Sequence, residues 1–145
     1  MSGAAVMSFD PRVAPCVGQV DLENEVKSAF ESALKDTGAH ASLEFLEGGL
    51  RWIAPSEVLA DEPIVRAAIG AWGDVLGAEP VLGFFPGGND VPLLTERGIP
   101  TLPAVGAGAL WQSHGVDESV TVTDLMTSGR LYSLIVGRYL TAFHD

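Results

Sequence analysis

The sequence predicts an α/β fold on three observations: short apolar runs bounded by glycine and proline, longer stretches with apolar residues spaced by three and four, and the alternation of the two. Residues 4–9 read as an opening strand, closed by the turn-forming pair Asp10-Pro11. From Asp21, the side chains Leu22, Val26, Ala29, Phe30, Ala33 and Leu34 trace one face of an amphipathic helix, with Asp21 as N-cap and Gly38 as C-cap. Residues 41–46 alternate as a short strand does, and Gly48-Gly49 breaks them.

A second helix is announced by Asp61 as N-cap and Pro63 in the first turn, where a missing N–H costs nothing. Its expected buried stripe is Ile64, Ala68, Trp72, Val75 and Leu76, and Gly77 ends it. Residues 81–85 form an apolar run that suits a strand covered on both faces. After the turn Pro86-Gly87-Gly88-Asn89-Asp90, residues 91–97 read as a short helix and 101–105 as another buried strand. Residues 106–119 form a long glycine-rich loop, of a length that favours a functional loop over a simple connection. The last helix starts near Thr123-Asp124 and carries Leu125, Leu131, Leu134, Ile135 and Tyr139 at helical spacing.

At 145 residues the chain holds one compact domain or two half-domains. Its net charge of −11 argues against nucleic acid and anionic membranes as partners, since both call for a basic surface. Hydrophobic residues make up 47% of the chain, enough to fill a core, and no apolar run approaches the roughly 20 residues that cross a bilayer. With one cysteine, Cys16, and no basic segment leading into an apolar one at the N-terminus, a cytoplasmic location is expected.

Two loops follow predicted strands, where open α/β sheets place their ligands. In the first, Gly87-Gly88 lets backbone N–H groups approach an anion without a Cβ in the way; the competing reading is a tight turn with Asp90 as helix cap. In the second, His114 could ligate a metal or move a proton, or simply stand solvated in its loop, and His40 and His144 are weaker candidates. Arg12, just after the opening strand, offers a planar fork for a carboxylate or a surface ion pair with Asp10.

Together these pieces resemble the C-terminal part of the zinc-dependent amidohydrolases, the family of acetylornithine deacetylase, succinyl-diaminopimelate desuccinylase, aminoacylase and carboxypeptidase G. The segment FFPGGNDVPLL, residues 84–94, resembles the family's Gly-Gly-Thr/Ser-Asp loop, with Asn89 in the Thr/Ser place. Arg97-Gly98-Ile99-Pro100-Thr101 is similar to its Arg-Gly-Ile-Pro-Thr lead into a strand. His114-Gly115-Val116-Asp117-Glu118, then Val120 and Asp124-Leu125, is similar to its His-Thr-Pro-Asn-Glu stretch. Ser8-Phe9-Asp10-Pro11-Arg12 resembles the second half of its lid.

The resemblance implies residues 1–50 as the second half of a lid and dimerisation domain, a partial ferredoxin-like strand-helix-strand unit. Residues 51–145 would be the C-terminal part of an α/β zinc-peptidase catalytic domain. It further implies His114 as a zinc ligand, Arg12, Gly87 and Gly88 as the grip on a substrate carboxylate, and N-acyl amino acids or small peptides as substrates. The family's His-x-Asp motif, Glu-Glu pair and lid histidine have no counterpart in this chain. One histidine falls short of the three or more protein ligands a catalytic zinc uses. The chain is therefore expected to carry no catalytic residue of its own and to be inactive in isolation, and its expected partner is a second copy in a homodimer or a complementing N-terminal half. The alternative expectation is a non-catalytic binding or dimerisation module that complements a partner chain.

Overall fold

A computed structural model of the chain describes residues 4–45 and 52–142. They fall into two compact units, one drawn from Met1–Ser56 and Pro86–Gly88, the other from Glu57–Phe85 and Asn89–Asp145.

The first unit is built on α1 (Gln19–Leu34). The expected apolar face is there: Leu22, Val26, Phe30 and Leu34 are half-buried at successive helical turns, although none is fully buried. The helix starts earlier than Asp21 because Gln19 Nε2 donates to Glu23 Oε1 at 2.9 Å across one turn. Gly18 is the N-cap, and Asp21 instead sits in the first turn, beside the positive end of the helix. The helix also stops before Gly38. Asp36 adopts a left-handed φ of 64°, and the Thr37 hydroxyl donates to the Leu34 carbonyl at 2.8 Å. The Lys27 ammonium lies 5.2 Å from the centre of the Phe45 ring.

The second unit contains α2 (Pro63–Leu76), α3 (Val91–Thr95) and α4 (Val122–Thr141), with one 3-10 turn at Leu110–Gln112. Pro63 opens α2 behind Glu62, one residue later than the Asp61 cap expected, and Gly77 closes it at φ 69°, its N–H donating to the Gly73 carbonyl at 2.9 Å. Helix α4 is capped by Thr121, whose hydroxyl oxygen accepts from the Asp124 N–H at 3.0 Å.

The core lies between α2 and α4. Ala67 and Ala71 pack with Leu131 and Ile135, and Ile64, Ala68, Val75, Val105 and Tyr139 close around them. The α2 face turned inward is thus not centred on the large residues expected: Trp72 is 36% and Leu76 45% exposed, whereas Ala71 is wholly buried. Small side chains win because they let the second helix come close. The Arg138 guanidinium lies over Gly70, where a Cβ would meet its Nη1 at 2.8 Å, and reaches Asp74 at 2.5 Å.

The α/β expectation is overturned. Among the described residues there are helices and no strand, so neither the strand-helix-strand lid nor a sheet-bearing catalytic domain is formed. Residues 4–9, 41–45, 81–85 and 101–105 carry no backbone ladder. Leu46 and the Gly48-Gly49 break lie outside the described residues.

The reason is that β-forming residues express a fit to a neighbouring strand, and a strand has no hydrogen bonds of its own. Pro80 and Pro86 flank one of these runs, and Pro103, which lacks an N–H, sits inside another. With no ladder partner among the described residues, the apolar character of residues 4–9 and of most of 81–85 remains on the surface, where Val6 is 99% and Val81 97% exposed, while Val105 packs against the helix core.

Truncating the inter-helix seam is the direct check. Leu131→Ala should cost about 3 kcal/mol, and Thr121→Ala about 1 kcal/mol through loss of the cap. Leu76→Ala, on the half-exposed side, should cost less than about 1 kcal/mol. Urea unfolding followed by far-ultraviolet circular dichroism measures all three.

Candidate functional site

Arg12 and Gly88 belong to the same unit and are in contact. Arg12 Nη2 donates to Asp10 Oδ2 at 2.7 Å, with both side chains more than half exposed, so the ion pair anticipated from their spacing is formed. The other side of the guanidinium lies against Gly88. A Cβ built there would overlap Nη1 and stand 3.2 Å from Cζ.

Among the described residues the left-handed glycines are Gly38, Gly77, Gly98 and Gly108. Gly88 is therefore needed for the room it leaves to the arginine rather than for its φ. Gly87 stands at an exposed bend immediately before it. The resulting feature is an accessible, planar cation pressed on backbone that carries no side chain. An incoming carboxylate would meet donors there and would compete with Asp10 for them.

The residues after the glycines are spent on structure. Asn89 Oδ1 accepts from the Val91 N–H at 3.0 Å, and its Nδ2 donates to the Pro103 carbonyl at 3.2 Å. Asn89, not Asp90, thus supplies the side-chain bond at the start of α3. Helix α3 is shorter than the 91–97 expected because Gly98, at φ 71°, turns the chain so that the Ile99 N–H donates to the Leu94 carbonyl at 3.1 Å.

His114 is exposed at the end of a chain of turns that begins at Leu110. Its φ of 63° is left-handed, a conformation uncommon for residues other than glycine, and its backbone N–H donates to Glu118 Oε2 at 2.9 Å. Gly115 fits beneath it because a Cβ would come 3.2 Å from the Gln112 carbonyl oxygen. The sequence flagged Glu118 only as part of a motif. In the structure its carboxylate holds the histidine loop in shape.

A second contact had no signal in the sequence. The Tyr132 hydroxyl donates to the Val105 carbonyl across the unit, and Gly106 leaves space for it. Beside this contact, Phe85, Val105, Leu110, Val120 and Leu125 line a shallow groove that His114 does not enter.

Zinc does not fit this loop. Among the described residues no group of three His, Cys, Asp or Glu side chains converges on one point, and the Glu118 carboxylate is engaged by the histidine's own backbone. His40 is exposed in the other unit, and His144 lies outside the described residues. Cys16 is a free, exposed thiol. No helix among the described residues is long and apolar enough to cross a membrane.

Zinc added to the chain should accordingly bind no more tightly than it does to an isolated imidazole, and His114→Ala should leave the calorimetric isotherm unchanged. Tight binding that His114→Ala abolishes would show a ligand set completed by some other means. Compared with protein-family models, with curated proteins and with solved structures, the chain matches none.

Proposed function

We propose that this chain binds the carboxylate end of an N-acyl amino acid or small peptide, as the carboxylate-holding portion of an amidohydrolase whose hydrolytic groups lie outside it. The observation that carries the reading is the Arg12 guanidinium lying against the side-chain-free backbone of Gly88. Those two residues, with Gly87, are the ones the family resemblance implied for this task. Arginine suits it because its planar fork can give two parallel hydrogen bonds to one carboxylate, which fixes direction as well as charge. The chain alone performs no hydrolysis in this reading, since the histidine loop offers neither a ligand set nor a paired acid and base.

A second reading, a non-catalytic module that complements a partner chain, is favoured by a different observation. Val81, Leu82 and Phe84 are 97%, 54% and 60% exposed in a run with no ladder, which is surface of the kind another polypeptide covers.

Ligand titration followed by NMR separates the readings. N-acetyl amino acids should shift the resonances of Arg12, Gly87 and Gly88, and their primary amides should not. Arg12→Gln should weaken binding about tenfold or more, the usual consequence of losing a charged hydrogen-bond donor. Equal response to acid and amide, or no response, would leave the module reading standing alone.

A further inference from the structure

We infer that Asp10 gives the Arg12 site a charge preference, so that it takes carboxylates bearing a positive group first, neutral ones next and dicarboxylates last. The inference rests on the carboxylate reading above and narrows the ligand class of the same site. Asp10, Arg12 and Gly88 all belong to one unit.

The local sequence builds the pair. Pro11 fixes its own φ and pushes Asp10 before it toward extended backbone, in which side chains two residues apart project to one side. Asp10 Oδ2 accordingly accepts from Arg12 Nη2 at 2.7 Å. Gly88 lies against Nη1, the other terminal nitrogen. A ligand carboxylate that takes both terminal nitrogens must displace Asp10, and one that takes another edge of the guanidinium shares it with Asp10. In both cases the aspartate remains beside the ligand, because only Pro11 separates it from the arginine along the chain.

Such a neighbour is a repulsive element, and repulsion of the wrong ligand is one source of selectivity. A second carboxylate on the ligand meets Asp10 as like charge. An ammonium or guanidinium on the ligand meets instead the partner that its own carboxylate has drawn away from Arg12. Two unit charges ~4 Å apart in water shift an equilibrium by at most about fivefold, which sets the scale of the effect. The ligand class that fits is an N-acyl amino acid or small peptide with a basic side chain. The net charge of −11 acts in the same direction, but over the whole surface, so a substitution at one residue separates the two causes.

The test is NMR titration of the full 145-residue chain with Nα-acetyllysine, N-acetylalanine and N-acetylglutamate at about 20 mM salt, where charges are least screened. The chain should bind them in that order, with steps of about two- to threefold. Asp10→Asn keeps the size of the side chain and an oxygen that accepts from Arg12. It should tighten N-acetylalanine about threefold and remove the order among the three ligands. Glu25→Gln, which takes the same charge from α1, should leave the order as it is.

Ligands that bind without order, an order that survives Asp10→Asn, or an order that Glu25→Gln also removes would overturn the inference and leave the carboxylate reading in place. Ligands that fail to shift the Arg12 resonances in the original chain and in Asp10→Asn would overturn both.

Discussion

The second unit depends on the closeness of α2 and α4. Ala67 and Ala71 present almost no side chain, so Leu131 and Ile135 can reach the backbone of the facing helix, and Val65, Ala67, Ala71, Val91, Leu131 and Ile135 are the buried apolar residues described. Everything else is placed relative to that seam. Arg138 crosses the bare backbone of Gly70 to Asp74, and the Tyr132 hydroxyl pulls the segment at Val105 onto the helix pair. Because the contact rests on few and small side chains, one lost methylene group is a large fraction of what holds it.

That dependence separates what was legible in the sequence from what was not. The helices were legible because their determinants are local: Pro63 and Gly77 bound α2 by fixed dihedral preferences, and the half-buried residues of α1 follow their spacing. End residues were less so. Asp21 and Asp61 yielded to Gly18 and Glu62 as N-caps, and no side-chain cap bond forms at either. The strands were misread because they depend on something non-local. Residues 81–85 and 101–105 have β-forming composition, and that composition becomes a strand only when a ladder partner is supplied. The inward face of α2 was misjudged for a similar reason, since ranking residues by size overlooks that the tightest helix contact is made by alanine and glycine.

At the candidate site, the same distinction applies. Arg12 and Gly88 are far apart in sequence; the family resemblance implied both as contacts of a substrate carboxylate, and their contact with each other had no signal in the sequence. The competing ion pair, Arg12 with Asp10, follows from spacing alone, and both arrangements coexist because a guanidinium has more than one edge. His114 differs. Residue type and loop position marked it, but its neighbours turn inward to hold the loop, with Glu118 on its N–H and Gly115 packed beneath, so the imidazole stands without a constellation.

Glycine usage along α4 carries the last step. A glycine inside a helix costs roughly 0.5–1 kcal/mol relative to alanine, and α4 has two, at positions where this chain leaves open space. The helix is long and well capped at Thr121, so it bears that cost and still forms. On α2 a glycine with the same intrinsic cost is offset by an ion-paired arginine laid across it, a visible gain within the same unit. Gly73 of α2, like Gly129 and Gly137, would meet nothing among the described residues, so three of the four glycines inside these two helices carry their cost with no contact that offsets it, and the helices form through their seam despite them.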